Sequence, residues 1–268
     1  MLDLIQITND PAMARRCDAL EGMRLFVDLE RLGKAERQAG RDTFISRHTL
    51  DDVARMREAV RRSRLMVRVN PLHAGSAQEI EAVLAQRPDL LMLPMFEGAG
   101  ALQDFAALVA GRVPIVALLE TRGALDTLPQ WIATPGLHEI YVGLNDLHMS
   151  LGLRFMFEPL ALGLVDRVAA AARVQGLRFG FGGIARLGEG LLPGRDVLAE
   201  HLRLGSQAMI LSRTFHRDGD GVSFEQAVAA LREAESQLAH RTAEAVQADA
   251  LRIAAQVRQL AASLPPKP

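Results

Sequence analysis

Residues 65–93 run LMVRVNPLHAGSAQEIEAVLAQRPDLLML. The aliphatic run Leu65–Val69 stops at Asn70-Pro71, Ser76–Ala85 follows with helical spacing, and Leu90–Leu93 is a second short aliphatic run. Strand, helix, strand with no hairpin turn is a crossover joining parallel neighbours. The same alternation repeats outward in both directions. It predicts strands at Leu2–Ile7, Leu25–Leu29, Ile115–Leu119, Glu139–Gly143, Arg178–Gly182 and Met209–Ser212. Helices are predicted at Thr49–Arg62, Ala99–Val109, Thr121–Ile132, Ala161–Val174 and Arg195–Arg203. An unbroken run of such units argues for an α/β chain closed as a (β/α)8 TIM barrel. A doubly wound open sheet is the alternative. It usually needs a Gly-rich turn after its first strand, where this chain has Thr8-Asn-Asp-Pro11, a cap with proline opening a helix.

The barrel domain is expected to span residues 1–240, with Ser223–Ala239 as its eighth helix. Residues 241–268 are expected to add a further helix. In it Val246, Ala250, Ile253, Val257, Leu260 and Leu264 form a heptad seam. That seam suits either a helix folded back on its own barrel or one docked on a neighbouring subunit.

Composition removes several classes. The 268 residues carry a net charge of −1, which gives no electrostatic case for nucleic acid or an acidic membrane as main partner. A single cysteine, Cys17, cannot form an internal disulfide or a thiolate cluster, so a reduced, cytoplasmic setting is expected. The start lacks the basic and apolar regions of a signal peptide, and no apolar stretch is long enough to span a bilayer.

In a barrel of this type, the C-terminal strand ends face the active-site mouth. Period-two alternation puts Asp28 and Glu30 on one face at the end of the second strand, and Arg68 and Asn70 on one face at the end of the third. Glu120 ends the fifth strand; Asn145 and Asp146 end the sixth. The seventh runs into a Gly-rich stretch with Gly183 and Arg186, suited to backbone approach by an anion. Singly, such residues are as easily caps or ion-pair partners. Together, Glu120 and Asp146 suit a hard divalent ion such as Mg²⁺, which takes one or two carboxylates and leaves other positions to water and substrate oxygens. An oxo acid chelated there would have its enolate stabilised as a C–C bond breaks, with Arg68 neutralising charge.

Phe26-Val-Asp-Leu-Glu30, Val67-Arg-Val-Asn-Pro71, Leu119-Glu-Thr121 and Val142-Gly-Leu-Asn-Asp-Leu147 together resemble the HpcH/HpaI aldolase and citrate lyase β-subunit family of the phosphoenolpyruvate/pyruvate barrel superfamily. The resemblance is strong from Leu25 to Gly152 and extends in layout to Ser212. It implies Mg²⁺ or Mn²⁺ held by Glu120 and Asp146, and Arg68 on the substrate carbonyl or carboxylate. It implies a small anionic substrate, an oxo acid or an acyl-CoA, and a homotrimer or homohexamer with an exchanged C-terminal helix. The chain also departs from the family. The aldolase branch has a histidine base just after the strand-two acids, where this chain has Arg31. Asp28, Glu30, Lys34 and Arg37 fit the citrate-lyase branch better, but that branch's Pro-Lys after strand four is here Pro94-Met95.

The Arg31–His48 stretch, with Lys34, Arg37, Arg41 and Arg47, reads as a solvated charged loop or as a lid over an anion. His48 is the nearby imidazole and the candidate to replace the missing base. Backbone N–H groups near Asn145 and Leu147, at the start of a short helix, are candidates for a substrate carboxylate. Catalytic candidates are therefore Arg68, Asp28, Glu30 and His48; substrate-binding candidates are Asn70, Asn145, Leu147, Gly183 and Arg186. The expected activity is metal-dependent C–C cleavage or formation beside an oxo-acid carbonyl. A CoA-thioester lyase of the citryl- or malyl-CoA type is one alternative, and a barrel that binds organic acids without turnover is another.

Overall fold

A computed structural model of the chain describes residues 1–33, 47–217 and 221–265. Eight parallel strands are neighbours in chain order and close into a barrel, so the fold is the α/β (β/α)8 type. They are β1 (Asp3–Ile7), β2 (Met23–Asp28), β3 (Arg64–Arg68), β4 (Leu90–Leu93), β5 (Ile115–Leu119), β6 (Leu137–Val142), β7 (Arg178–Ile184) and β8 (Ala208–Leu211). Every residue of β2, β4 and β5 is buried, as expected of parallel strands covered on both faces.

By packing the chain falls into two units, Ile5–Tyr141 and Met1–Leu4 with Val142–Pro268. In the first, the helices are α1 (Pro11–Asp18), α2 (Leu50–Ala59), α3 (Ser76–Ala85), α4 (Ala99–Val109), α5 (Arg122–Asp126) and α6 (Leu128–Trp131). Helix α1 starts on an Asp10 cap with Pro11 in its first turn, and α2 on a Thr49–Asp52 capping box. The predicted helix to Arg62 stops at Ala59 because Asp18 accepts the N–H groups of Arg61, Arg62 and Ser63 and draws the chain into β3. Burial would raise the Asp18 carboxyl, yet these bonds hold it below its usual range. The predicted single helix Thr121–Ile132 is two helices, since Pro129 lacks an N–H to continue the ladder.

The second unit holds α7 (Leu144–Ser150), α8 (Glu158–Ala161), α9 (Leu164–Val174), α10 (Gly194–Leu204), a 3-10 turn at Arg213–His216, α11 (Phe224–Ala239) and α12 (Ala243–Ser263). The break between α8 and α9 falls at Gly163, whose φ is +71°. Strand β7 carries its glycines inside the strand rather than in a turn after it, with a register shift against β8 between Gly180 and Gly183. Helix α12 packs on α8 and α10 of its own chain through Ile253, Val257 and Ala261, all buried. Arg252 pairs with Asp196, and Arg241 pairs with Asp249 and donates to the Ala199 carbonyl. Among the described residues, no helix is long and apolar enough to cross a membrane.

Candidate active site

In the Ile5–Tyr141 unit the ends of β2, β3 and β5 carry the predicted residues. Strands β2 and β3 pair with Asp28 opposite Arg68. The Arg68 guanidinium grips the Asp28 carboxylate at two points, Nε to Oδ1 and Nη2 to Oδ2, both 2.8 Å. Its Nη2 also lies 3.2 Å from Glu30 Oε2. The Phe26 ring sits 5.5 Å below the guanidinium carbon. Burial disfavours the Arg68 charge, but Asp28, Glu30 and Glu120 more than offset this and raise its pKa further. Arg68 is therefore a fixed cation beside three carboxylates. No described residue accepts from its Nη1, and its side chain keeps 13% exposure.

Glu120 follows β5 and is buried, at 3% exposure. Its Oε1 accepts the Met95 N–H at 3.1 Å. Met95 adopts φ +53°, a left-handed conformation unusual for a residue with a side chain, and this strained backbone accompanies the amide's contact with the carboxylate.

His48 is buried, and its Nδ1 accepts the Asp28 N–H at 3.1 Å. A ring nitrogen that accepts carries no proton, so the neutral ring is protonated at Nε2. The histidine thus buttresses the β2 end. Arg31 Nη2 donates to the His48 carbonyl. Lys34, Arg37 and Arg41, and with them most of the Arg31–His48 stretch, lie outside the described residues.

Asn70 does not turn its amide oxygen to a ligand. It caps the chain leaving β2, accepting the Arg31 and Leu32 N–H groups at 2.8 and 3.0 Å. Period-two alternation puts Asn70 beside Arg68, but these partners lie 39 and 38 residues back in the chain, beyond its reach.

The remaining candidates belong to the other unit. Asn145 and Asp146 are half-buried in the first turn of α7. The Leu147 N–H is taken by the Gly143 carbonyl at 3.0 Å, so it is not offered to a substrate carboxylate. Gly183 lies within β7, where an added Cβ would sit 3.6 Å from the Ile210 carbonyl oxygen. Its neighbour Gly182 is the constrained one: φ is +53°, and a Cβ would come 2.9 Å from Leu144 Cδ1. Arg186 ties down the segment after β8 instead of reaching for an anion. Its N–H donates to Thr214 Oγ1, and its Nη2 lies 3.4 Å from the Arg217 and Val222 carbonyl oxygens.

Among the described residues, no group of three or more His, Cys, Asp or Glu side chains is arranged to hold a metal. Carboxylates supply hard oxygens, and a magnesium-type ion needs only one or two of them.

A family model for HpcH/HpaI aldolase/citrate lyase matches residues 7–181. The chain belongs to this family. Among curated proteins, a (3S)-malyl-CoA thioesterase from Cereibacter sphaeroides is 34% identical over 115 residues, covering 42% of the chain and 40% of that relative's length. Among solved structures, an HpcH/HpaI aldolase/citrate lyase family protein from Burkholderia cenocepacia superposes with a TM-score of 0.61 at 17% identity, covering 88% of this chain and 95% of that one. CitE of Mycobacterium tuberculosis, solved with the triphosphate group of ATP, gives a TM-score of 0.59 at 17% identity over 87% and 96% of the two chains. At such identities the structures speak for the barrel alone.

Proposed function

We propose that this chain is a divalent-metal-dependent carbon–carbon lyase of the aldolase type, acting on a small oxo acid. The observation that carries the reading is the Arg68 guanidinium, held by Asp28 and Glu30, in a chain of the HpcH/HpaI family. A guanidinium whose orientation is already fixed binds a carboxylate or a developing oxyanion without reorganising. Asp28, doubly bonded to Arg68, serves to hold it. Glu30 lies farther from the guanidinium, its Oε2 3.2 Å from Arg68 Nη2, and is the carboxylate we assign to proton transfer. His48 supports the Asp28 backbone rather than acting as the base.

We place Mg²⁺ or Mn²⁺ on Glu120 and Asp146 by their positions in the Leu119-Glu-Thr121 and Asn145-Asp-Leu147 motifs. Such an ion supplies Lewis acidity at the substrate carbonyl. The Met95 N–H on Glu120 Oε1 orients that carboxylate. A trimeric or hexameric assembly in the cytoplasm completes the proposal.

A second reading, a lyase or hydrolase of acyl-CoA thioesters, is favoured by the malyl-CoA thioesterase likeness, which spans less than half of either chain. One experiment separates the two. Exchange of the methyl protons of pyruvate in deuterated water with Mg²⁺, and turnover of malyl-CoA, are followed on the same preparation. The lyase reading expects pyruvate exchange that EDTA abolishes and that Glu120→Gln or Asp146→Asn removes. It also expects Arg68→Lys, which keeps the charge but loses the fork, to lower kcat/KM by about 100-fold or more. Pyruvate exchange that survives EDTA, or no exchange beside rapid malyl-CoA turnover, would overturn it.

A further inference from the structure

The β2–β3 ladder continues past its last backbone rung. That rung is Leu29 N–H donating to the Arg68 carbonyl at 2.9 Å. Beyond it a side chain takes over, as Asn70 Oδ1 accepts the N–H groups of Arg31 and Leu32. The other end of the amide is committed as well. Asn70 Nδ2 donates to Glu79 Oε1 at 2.8 Å, and the same oxygen accepts the Asn70 backbone N–H at 3.1 Å. Glu79 stands in the first turn of α3, and its Oε2 is 3.0 Å from His73 Nε2. His73 Nδ1 accepts the Gly75 N–H, so Nε2 carries the proton of the neutral ring and donates to Glu79. An ionised carboxylate only accepts. The amide therefore has one orientation: its NH₂ to Glu79, its oxygen to the two backbone donors.

This arrangement fixes a relation the chemistry depends on. Glu30 immediately precedes Arg31, and Arg68 lies two residues before Asn70. Pinning Arg31 to Asn70 therefore pins Glu30 against Arg68, where the 3.2 Å contact is seen. We propose that Asn70, backed by Glu79, is a positioning residue that sets the Glu30 carboxylate against the Arg68 guanidinium; this rests on the reading of those two residues as site residues given above. Asn70 contacts neither substrate nor reacting atoms in this role. Both lone pairs of its amide oxygen are spent within the fold.

The test uses the full chain labelled with ¹⁵N-arginine. Hydrogen exchange is measured at the Arg31 backbone N–H and at Arg68 Nε–H, beside pyruvate proton exchange with Mg²⁺. Asn70→Ala is expected to speed both hydrogen exchanges by about tenfold or more, the weight of one charge-assisted bond. It should lower kcat for pyruvate more than it raises KM. Asn70→Asp sets a carboxylate against Glu79 and should do the same. If Asn70→Ala does not fold, Glu79→Gln by itself, nearly unchanged in shape, should still speed Arg68 Nε–H exchange. Faster Arg31 exchange with Arg68 Nε–H and kcat unchanged would overturn the proposal. The guanidinium readout needs no turnover, so a chain inactive on pyruvate sinks the lyase reading and leaves this one testable.

Discussion

His201 on α10 is a histidine that has to stay neutral. It is fully buried, its ring stacked on Phe181 at 3.8 Å between centroids and 7° between planes. Its Nδ1 lies 2.8 Å from Ser206 Oγ. Burial pushes its pKa down from 6.5 to about 3. Between those two values the unfolded chain binds a proton that the native chain refuses, so stability falls as pH falls below 6.5. From pH 7.5 to pH 5.0 this one residue should cost about 2 kcal/mol, since the unfolded ring gains 1.36 kcal/mol for each pH unit below its pKa. Other groups titrate in that range too, so the quantity to read is a difference between proteins. His201→Phe keeps a flat ring against Phe181 and cannot titrate. Urea unfolding followed by far-UV circular dichroism at both pH values gives the pH-dependent loss for each protein. The native loss should exceed that of the variant by about 2 kcal/mol. Equal losses in the two proteins would refute a neutral, desolvated His201.

Further predictions concern the other unit. Arg24 and Glu139 form an ion pair at 2.8 Å with side-chain exposures of 1% and 0%. Replacing either by alanine should cost about 3–5 kcal/mol in urea unfolding, while Arg24→Met with Glu139→Leu should recover most of it. Thr49 caps α2, its hydroxyl accepting the Asp52 N–H while the Asp52 carboxylate accepts the Thr49 N–H. Thr49→Ala should cost about 1 kcal/mol by the same assay and speed hydrogen exchange in the first turn of α2.

Much of the barrel was legible because buried parallel strands are written as short aliphatic runs. Strands β4 and β5 and helices α3 and α4 begin and end where periodicity put them. The misplaced boundaries have non-local or single-residue causes. Helix α2 ends early through the Asp18 carboxylate, which lies more than forty residues earlier in the chain. The helix expected at Ala161–Val174 breaks at Gly163. At the candidate site, alternation put Asp28 and Glu30, and Arg68 and Asn70, on shared faces, and the structure joins Asp28, Glu30 and Arg68. Alternation gives a side chain's direction and not its partners. The direction of Asn70 was readable while its commitment to Arg31, Leu32 and Glu79 was not. The same holds for Arg186 with its carbonyls and for His48 beneath the Asp28 amide.

Helix α12 is fastened to its own chain by two kinds of force: three apolar side chains, and the Arg252–Asp196 pair. They weaken under different conditions. Apolar contacts lose strength on cooling, and charge pairs lose it as salt screens them. The pair is also the more exposed fastening, with Arg252 half open to water. Cold buffer with concentrated sodium chloride acts on both at once, whereas a warm dilute buffer spares both. The conditions under which the protein is stored therefore bear on how firmly its last helix is seated.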